Sequence, residues 1–138
     1  MTHTLPKTHF EGTVIHGKKL GRTLGFPTAN LSRDEDVEIK SEDYGVYAVS
    51  VHVKDHRYRG LMSLGTRPTV TDTDAWDMEV YILDFNEDIY GESIKMDIVC
   101  KLRDELRFNT LDELKERMHD DLAVIQAMPQ ALFTLSNS

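Results

Sequence analysis

Hydrophobic residues alternate with polar ones in several segments between residue 10 and about residue 102, and recur at intervals of three and four beyond it. The first spacing sends alternate side chains to opposite faces of a strand, and the second gathers them on one side of a helix. Strands are therefore expected at "EGTVIHG" (11–17), "YAVSVHV" (47–53), "YRGLMSLG" (58–65), "MEVYILDF" (78–85) and "SIKMDIVCKL" (93–102), with the polar turn "KDHR" joining the second and third. In 93–102, Ile94, Met96, Ile98, Cys100 and Leu102 fall on one face, and Ser93, Lys95, Asp97, Val99 and Lys101 on the other. One buried and one wet face, with no helical pattern between strands, predicts an antiparallel barrel or sandwich and not βαβ units. The helix opens at "TLDE", where Thr110 and Glu113 have capping-box spacing. Leu111, Leu114, Met118, Leu122 and Ile125 then form one apolar stripe, and Pro129 ends or breaks it. This helix is expected to cover a mouth or flank of the barrel.

Length and composition narrow the picture. The 138 residues suit one domain, 1–138, with no repeat or linker. No apolar run approaches the ~20 residues of a membrane span, and "MTHTLPKTHF" lacks a signal peptide's apolar region. The single cysteine, Cys100, rules out an intrachain disulfide and suits a reducing compartment such as the cytoplasm. Its strand position reads as an inert core thiol. A net charge of −8 argues against nucleic-acid binding. Against that background "HGKKLGR" (16–22) gathers Lys18, Lys19 and Arg22 among glycines, which suits a small anionic ligand or a solvated turn.

Candidate chemistry begins in the same region. Gly17, Gly21 and Gly25 are evenly spaced, but neither the Walker A pattern nor G-x-G-x-x-G is present. Glycines let backbone amides approach an anion closely, and they also suit a flexible hairpin. Pro27 stiffens the following segment, and extended geometry there sends Thr28 and Asn30 to one side. Their hydroxyl and carboxamide oxygens are hard donors suited to Mg²⁺; a purely structural Asx or Thr turn uses the same residues. Glu79 falls with Tyr81, Leu83 and Phe85 on one face of its strand, with Val80, Ile82 and Asp84 on the other. A carboxylate among apolar neighbours makes a candidate base, and one at a strand's start can also simply reach solvent. The six histidines show no zinc spacing, and Ser63 and Ser93 have no triad context.

Together, "GTVIHGKKLGRTLGFPTANL", "YGVYAV", "SLGTRPT", "MEVYILDFNEDIYGE" and "LRDELRFNTLDELKERMHDD" resemble the riboflavin kinase family, which makes FMN from riboflavin. The resemblance implies a six-stranded antiparallel Greek-key barrel with a C-terminal helix. It implies riboflavin/FMN and ATP/ADP as ligands, and Mg²⁺ (or another divalent ion such as Zn²⁺ or Mn²⁺) held by Thr28 and Asn30. Gly17, Lys18, Arg22 and Gly25, backed by Pro27, would cover the nucleotide phosphates, Lys18 being inferred from its charge. Ile82, Asp84 and Tyr90 would lie beside the nucleotide, Arg103, Leu106 and Phe108 would hold the flavin, and Glu79 would be the base. A monomer without nucleic-acid or membrane partners is expected. A flavin-binding module without turnover on the same barrel is the alternative. Ser63-Leu64 stands where many relatives carry Asn-Ile, a position outside the expected chemistry. "TVTDTDAWD" reads as a variable loop near the flavin. About a dozen residues precede the glycine-rich segment, too few for the adenylyltransferase domain of bifunctional bacterial relatives. A natural monofunctional kinase and an excised piece both fit.

Overall fold

The computed structural model describes residues 9–15, 29–31, 41–66, 76–85, 89–106 and 108–134. Six strands, β1 (His9–Ile15), β2 (Ala29–Leu31), β3 (Gly45–Val53), β4 (His56–Thr66), β5 (Trp76–Ile82) and β6 (Ser93–Asp104), close into a barrel in the order β1-β2-β5-β4-β3-β6. Every pairing is antiparallel, and β6 returns to pair with both β3 and β1. Three consecutive strands, β3 to β5, with β6 lying beside the first, are a Greek key. Barrel or sandwich was open on periodicity alone; the β1–β6 pairing makes it a barrel. Trp76 and Asp77 open β5 and so belong to the wall and not to the expected loop.

The inside is filled by alternate residues. Tyr47, Val49, Val51 and Val53 of β3 meet Met62 and Leu64 of β4, Met78, Val80 and Ile82 of β5, and Ile94 and Met96 of β6. The β3–β4 hairpin turns on Lys54 and Asp55 alone, with φ of 49° and 67°. Two left-handed residues match the twist of a two-residue hairpin, which makes the turn shorter than "KDHR" suggested.

A second apolar cluster lies outside the wall, where helix α1 (Leu111–Ala127) and the short α2 (Ala131–Thr134) cover β3 and β4. Leu122, Ile125 and Phe133 pack there on Val46, Ala48 and Leu61. This is why β3 is buried on both faces while most other strands alternate. The helix begins as expected: Glu113 N–H donates to Thr110 Oγ1 at 3.1 Å, while the Glu113 carboxylate accepts from Asn109 N–H at 3.0 Å. The reciprocal bond therefore reaches one residue further back than a strict capping box. Met128 ends α1 ahead of Pro129. Ser50 Oγ donates to Phe133 O at 2.6 Å, fixing α2 to the wall. Leu111, expected on the buried stripe, is 52% exposed.

Two register shifts against β3, between Val46 and Tyr47 and between Ala48 and Val49, change the reading of β6. Ile98 faces the interior as expected, but Cys100 pairs with Ala48 and joins the outer cluster with Val99 and Leu102. Each bulge inserts one residue and reverses the alternation, so strict period two fails there. Cys100 is half-buried, and burial pushes its thiol pKa up, away from the reactive thiolate.

Candidate active site

Antiparallel neighbours at the same register position share a face of the sheet. The pairs Ile15–Asn30, Asn30–Glu79, Glu79–Ser63, Ser63–Val46 and Val46–Arg103 therefore define one row around the barrel. The row lies on the outside: Met78, Val80, Met62 and Leu64, which flank Glu79 and Ser63 along their strands, all point into the core. Glu79 is the residue next to Asn30 along this outer wall. It is partly buried, with Tyr81 of its own strand packed on the outer cluster.

Strand tilt makes this row diagonal. Strands β1 and β5 end, and β2 and β6 begin, at one rim of the barrel, whereas Arg103 lies near the end of β6 at the opposite rim. Asn30 and Glu79 are therefore displaced towards the first rim relative to Arg103. Glu79 and Arg103 are three strands apart in the closed six-stranded order, half-way round the barrel from each other, and Val46 between them is covered by the helices.

The first rim also carries Asp84 and Tyr90. Asp84 is exposed at φ 58°, a left-handed conformation that aspartate tolerates. That turn ends the strand pattern, so Phe85 leaves the face of Glu79 and packs on the inner cluster, edge to face with Tyr58 at 5.0 Å. Tyr90 is 57% exposed, in a turn tied to β1 by Val14 N–H to Glu92 O (2.9 Å) and Gly91 N–H to Val14 O (3.0 Å). Ile82, expected beside the nucleotide, turns its side chain into the core, so any contact it makes is through its main chain.

Arg103 is more constrained than the sequence suggested. Its Nε lies 3.1 and 3.0 Å from the two carboxylate oxygens of Asp121, and its Nη2 lies 2.8 Å from Oδ2. Both side chains are buried, at 10% and 6% exposure. The guanidinium carbon sits 5.9 Å from the ring centre of Phe108, within cation–π range. Arg117 approaches the same carboxylate at 3.6 Å. Leu106 is 46% exposed on the adjoining loop. Asp121 went unread in the sequence, although a signal existed. It lies three residues after Met118 and four before Ile125, an acid within an apolar stripe.

Thr28 and the expected phosphate-covering residues Gly17, Lys18, Arg22, Gly25 and Pro27 lie outside the described residues. For Asn30 the described fact is its strand position opposite Glu79.

The family model described as Flavokinase: Riboflavin kinase matches residues 5–128. The chain belongs to the riboflavin kinase family. Among curated relatives of the family, it is 40% identical over 118 residues to an RNA-binding riboflavin kinase of Bacillus subtilis, covering 86% of this chain and 50% of that protein. It is 44% identical over 111 residues to a bifunctional riboflavin kinase/FMN adenylyltransferase of Listeria monocytogenes, covering 80% of this chain and 35% of that one. The chain thus spans half or less of these relatives. Among solved structures, riboflavin kinase from Trypanosoma brucei is similar with a TM-score of 0.63 and 26% identity, covering 100% of this chain and 94% of that one. A macrolide-efflux protein from Streptococcus pneumoniae gives 0.78 and 34%, covering 88% and 39%.

The family implies ATP and a divalent metal. Among the described residues no group of three or more His, Cys, Asp or Glu is placed to hold a metal. Neighbouring Asn30 and Glu79 bring only hard oxygen chemistry, and a site with few protein ligands completed by phosphate oxygens and water suits Mg²⁺. No described helix is long and apolar enough to cross a membrane.

Proposed function

We propose that this chain transfers the γ-phosphoryl group of Mg-ATP to the terminal ribityl hydroxyl of riboflavin, giving FMN and ADP. The observation that supports it most is the facing register of Asn30 and Glu79, which sets a metal-binding residue type beside a candidate base.

Phosphoryl transfer is largely positioning and charge neutralisation. Asn30 with Thr28 would hold the metal, which when bound neutralises charge on the phosphates. Glu79 orients the attacking hydroxyl and accepts its proton as the oxygen–phosphorus bond forms and the bond to ADP breaks. Gly17, Lys18, Arg22 and Gly25, stiffened by Pro27, would cover the phosphates and exclude water. Asp84, Tyr90 and the main chain of Ile82 serve the nucleotide at the first rim. Leu106, Phe108 and the guanidinium edge left by the Asp121 pair serve the flavin ring.

The match over 5–128 supports reading residues 1–138 as one kinase domain. The net charge of −8 supports a reading without a nucleic-acid partner, although RNA binding appears in one relative's name. A monomer in the cytoplasm completes the proposal. Incubation with riboflavin and Mg-ATP, followed by chromatography, tests it: FMN is expected. Flavin binding without FMN would identify a module that binds but does not turn over.

A further inference from the structure

The chain that leaves β6 does not stay beside that strand. Arg103 and Asp104 still pair with Val46 and Gly45 of β3, yet the Glu105 carboxylate lies on β4, where a Cβ on Gly65 would overlap it. Two glycines make this crossing possible. A Cβ on Gly45, the first residue of β3, would overlap the Arg103 carbonyl, so the chain passes close to β3 there. At Gly65 the missing side chain leaves the hollow that the carboxylate fills. Gly65 shares the outer face of β4 with Ser63, the residue opposite Glu79. From Glu79 to Gly65 is therefore a diagonal of one strand and two residues, about 7–8 Å. Glu105 thus carries the loop between β6 and α1 into the neighbourhood of the candidate base. It does so over the rim where β3 begins and β4 ends, not across the helix-covered Val46.

We propose that Glu105 is a positioning residue, which seats this loop in the hollow at Gly65 and so sets Leu106 beside the wall that carries Glu79. The inference rests on the proposed roles of Glu79 as base and Leu106 as a flavin contact. Glu105 is exposed and Leu106 is 46% exposed, so burial does little to fix either of them. A side chain seated in a fitted hollow restrains the residues next to it, and the flavin then meets a loop that is already ordered. Gly65 offers a selective way to break the seat. Its φ is not positive, and the three nearest atoms to an added methyl all belong to the Glu105 carboxylate, the far end of a flexible side chain. Gly65→Ala therefore displaces Glu105 without a conflict with the backbone.

The experiment makes Gly65→Ala and Glu105→Ala singly and together, and titrates each with riboflavin by flavin fluorescence. Each single variant is expected to weaken riboflavin binding about fivefold, the factor that ordering one loop residue is worth, and to leave the KM for Mg-ATP unchanged. The double variant is expected to bind within about twofold of the weaker single, because both changes empty the same seat. Thermal unfolding reports folding separately, and Glu105→Ala, at an exposed position, carries the test if Gly65→Ala does not fold. Unchanged riboflavin binding in Glu105→Ala, losses that multiply in the double variant, or an equal rise in the KM for Mg-ATP overturns the assignment. Glu79→Gln is assayed alongside. If it leaves turnover intact, the reading of the base fails; if it removes turnover while Glu105→Ala leaves riboflavin binding unchanged, only the role of Glu105 fails.

Discussion

At the residue scale, the proposed phosphoryl transfer rests on Asn30 and Glu79. Neighbouring positions on an antiparallel ladder have Cβ atoms about 5 Å apart, so a group bound to one is within reach of the other. Glu79→Gln keeps shape and hydrogen-bonding capacity but cannot take the proton. Turnover is expected to fall at least ~10²-fold while riboflavin affinity stays within about twofold, measured by FMN formation and flavin fluorescence. Asn30→Ala is expected to raise the KM for Mg-ATP roughly tenfold and leave riboflavin binding largely unchanged. Equal losses for the two ligands would remove Asn30 from the metal. Both identities were legible in the sequence; their adjacency was not, because Asn30 and Glu79 come together only through non-local pairing.

At the element scale, Asp121 decides how α1 meets the barrel. The Arg103–Asp121 pair joins the end of β6 to the helix, and Arg117 shares the carboxylate from the next turn. Asp121→Asn removes the carboxylate charge paired with a guanidinium that is 10% exposed. Breaking a buried pair from one side costs about 3–5 kcal/mol, so a clear drop in the denaturant midpoint is expected. Riboflavin affinity should fall with it, because Arg103 also lies against Phe108. The stripe Leu114, Met118, Leu122 and Ile125 was readable as a helix face, and Thr110 as its cap. The bulges in β6 were not readable, since they lie beyond its pairing with β1, where non-local pairing with β3 alone sets the register. They moved Cys100 and Leu102 from the expected inner face to the face beneath α1.

At the scale of the whole molecule, closure of the barrel rests on the seam between β1 and β6. His9 sits at its start, with Nδ1 2.8 Å from Asp97 Oδ1 and Nε2 3.4 Å from Glu11 Oε1. The hydrogen bond to Asp97, chiefly, raises the His9 pKa above its ordinary 6.5, against a smaller opposing effect of burial. The imidazolium is therefore favoured in the folded state. The stability it contributes is fully present below pH 6.5 and is lost as pH rises through the higher folded value. The histidine side chain is 47% exposed, so the effect is small. Melting temperatures followed from about pH 5.5 to 8 should show His9→Gln flattening this part of the profile. An unchanged profile would remove the seam from the pH response.

The sequence by itself determined the strand-rich barrel class, the C-terminal helix with its cap, and the chemical identity of Asn30, Glu79 and Arg103. These follow from local periodicity and side-chain chemistry, which need no knowledge of distant partners. Only the tertiary structure decided that Asn30, Glu79 and Ser63 stand in one register row on the outer wall, and that Arg103 is held by Asp121. Strand order, register and bulges are set by contacts far apart along the chain, and each single-residue shift exchanges the inside of a strand for its outside.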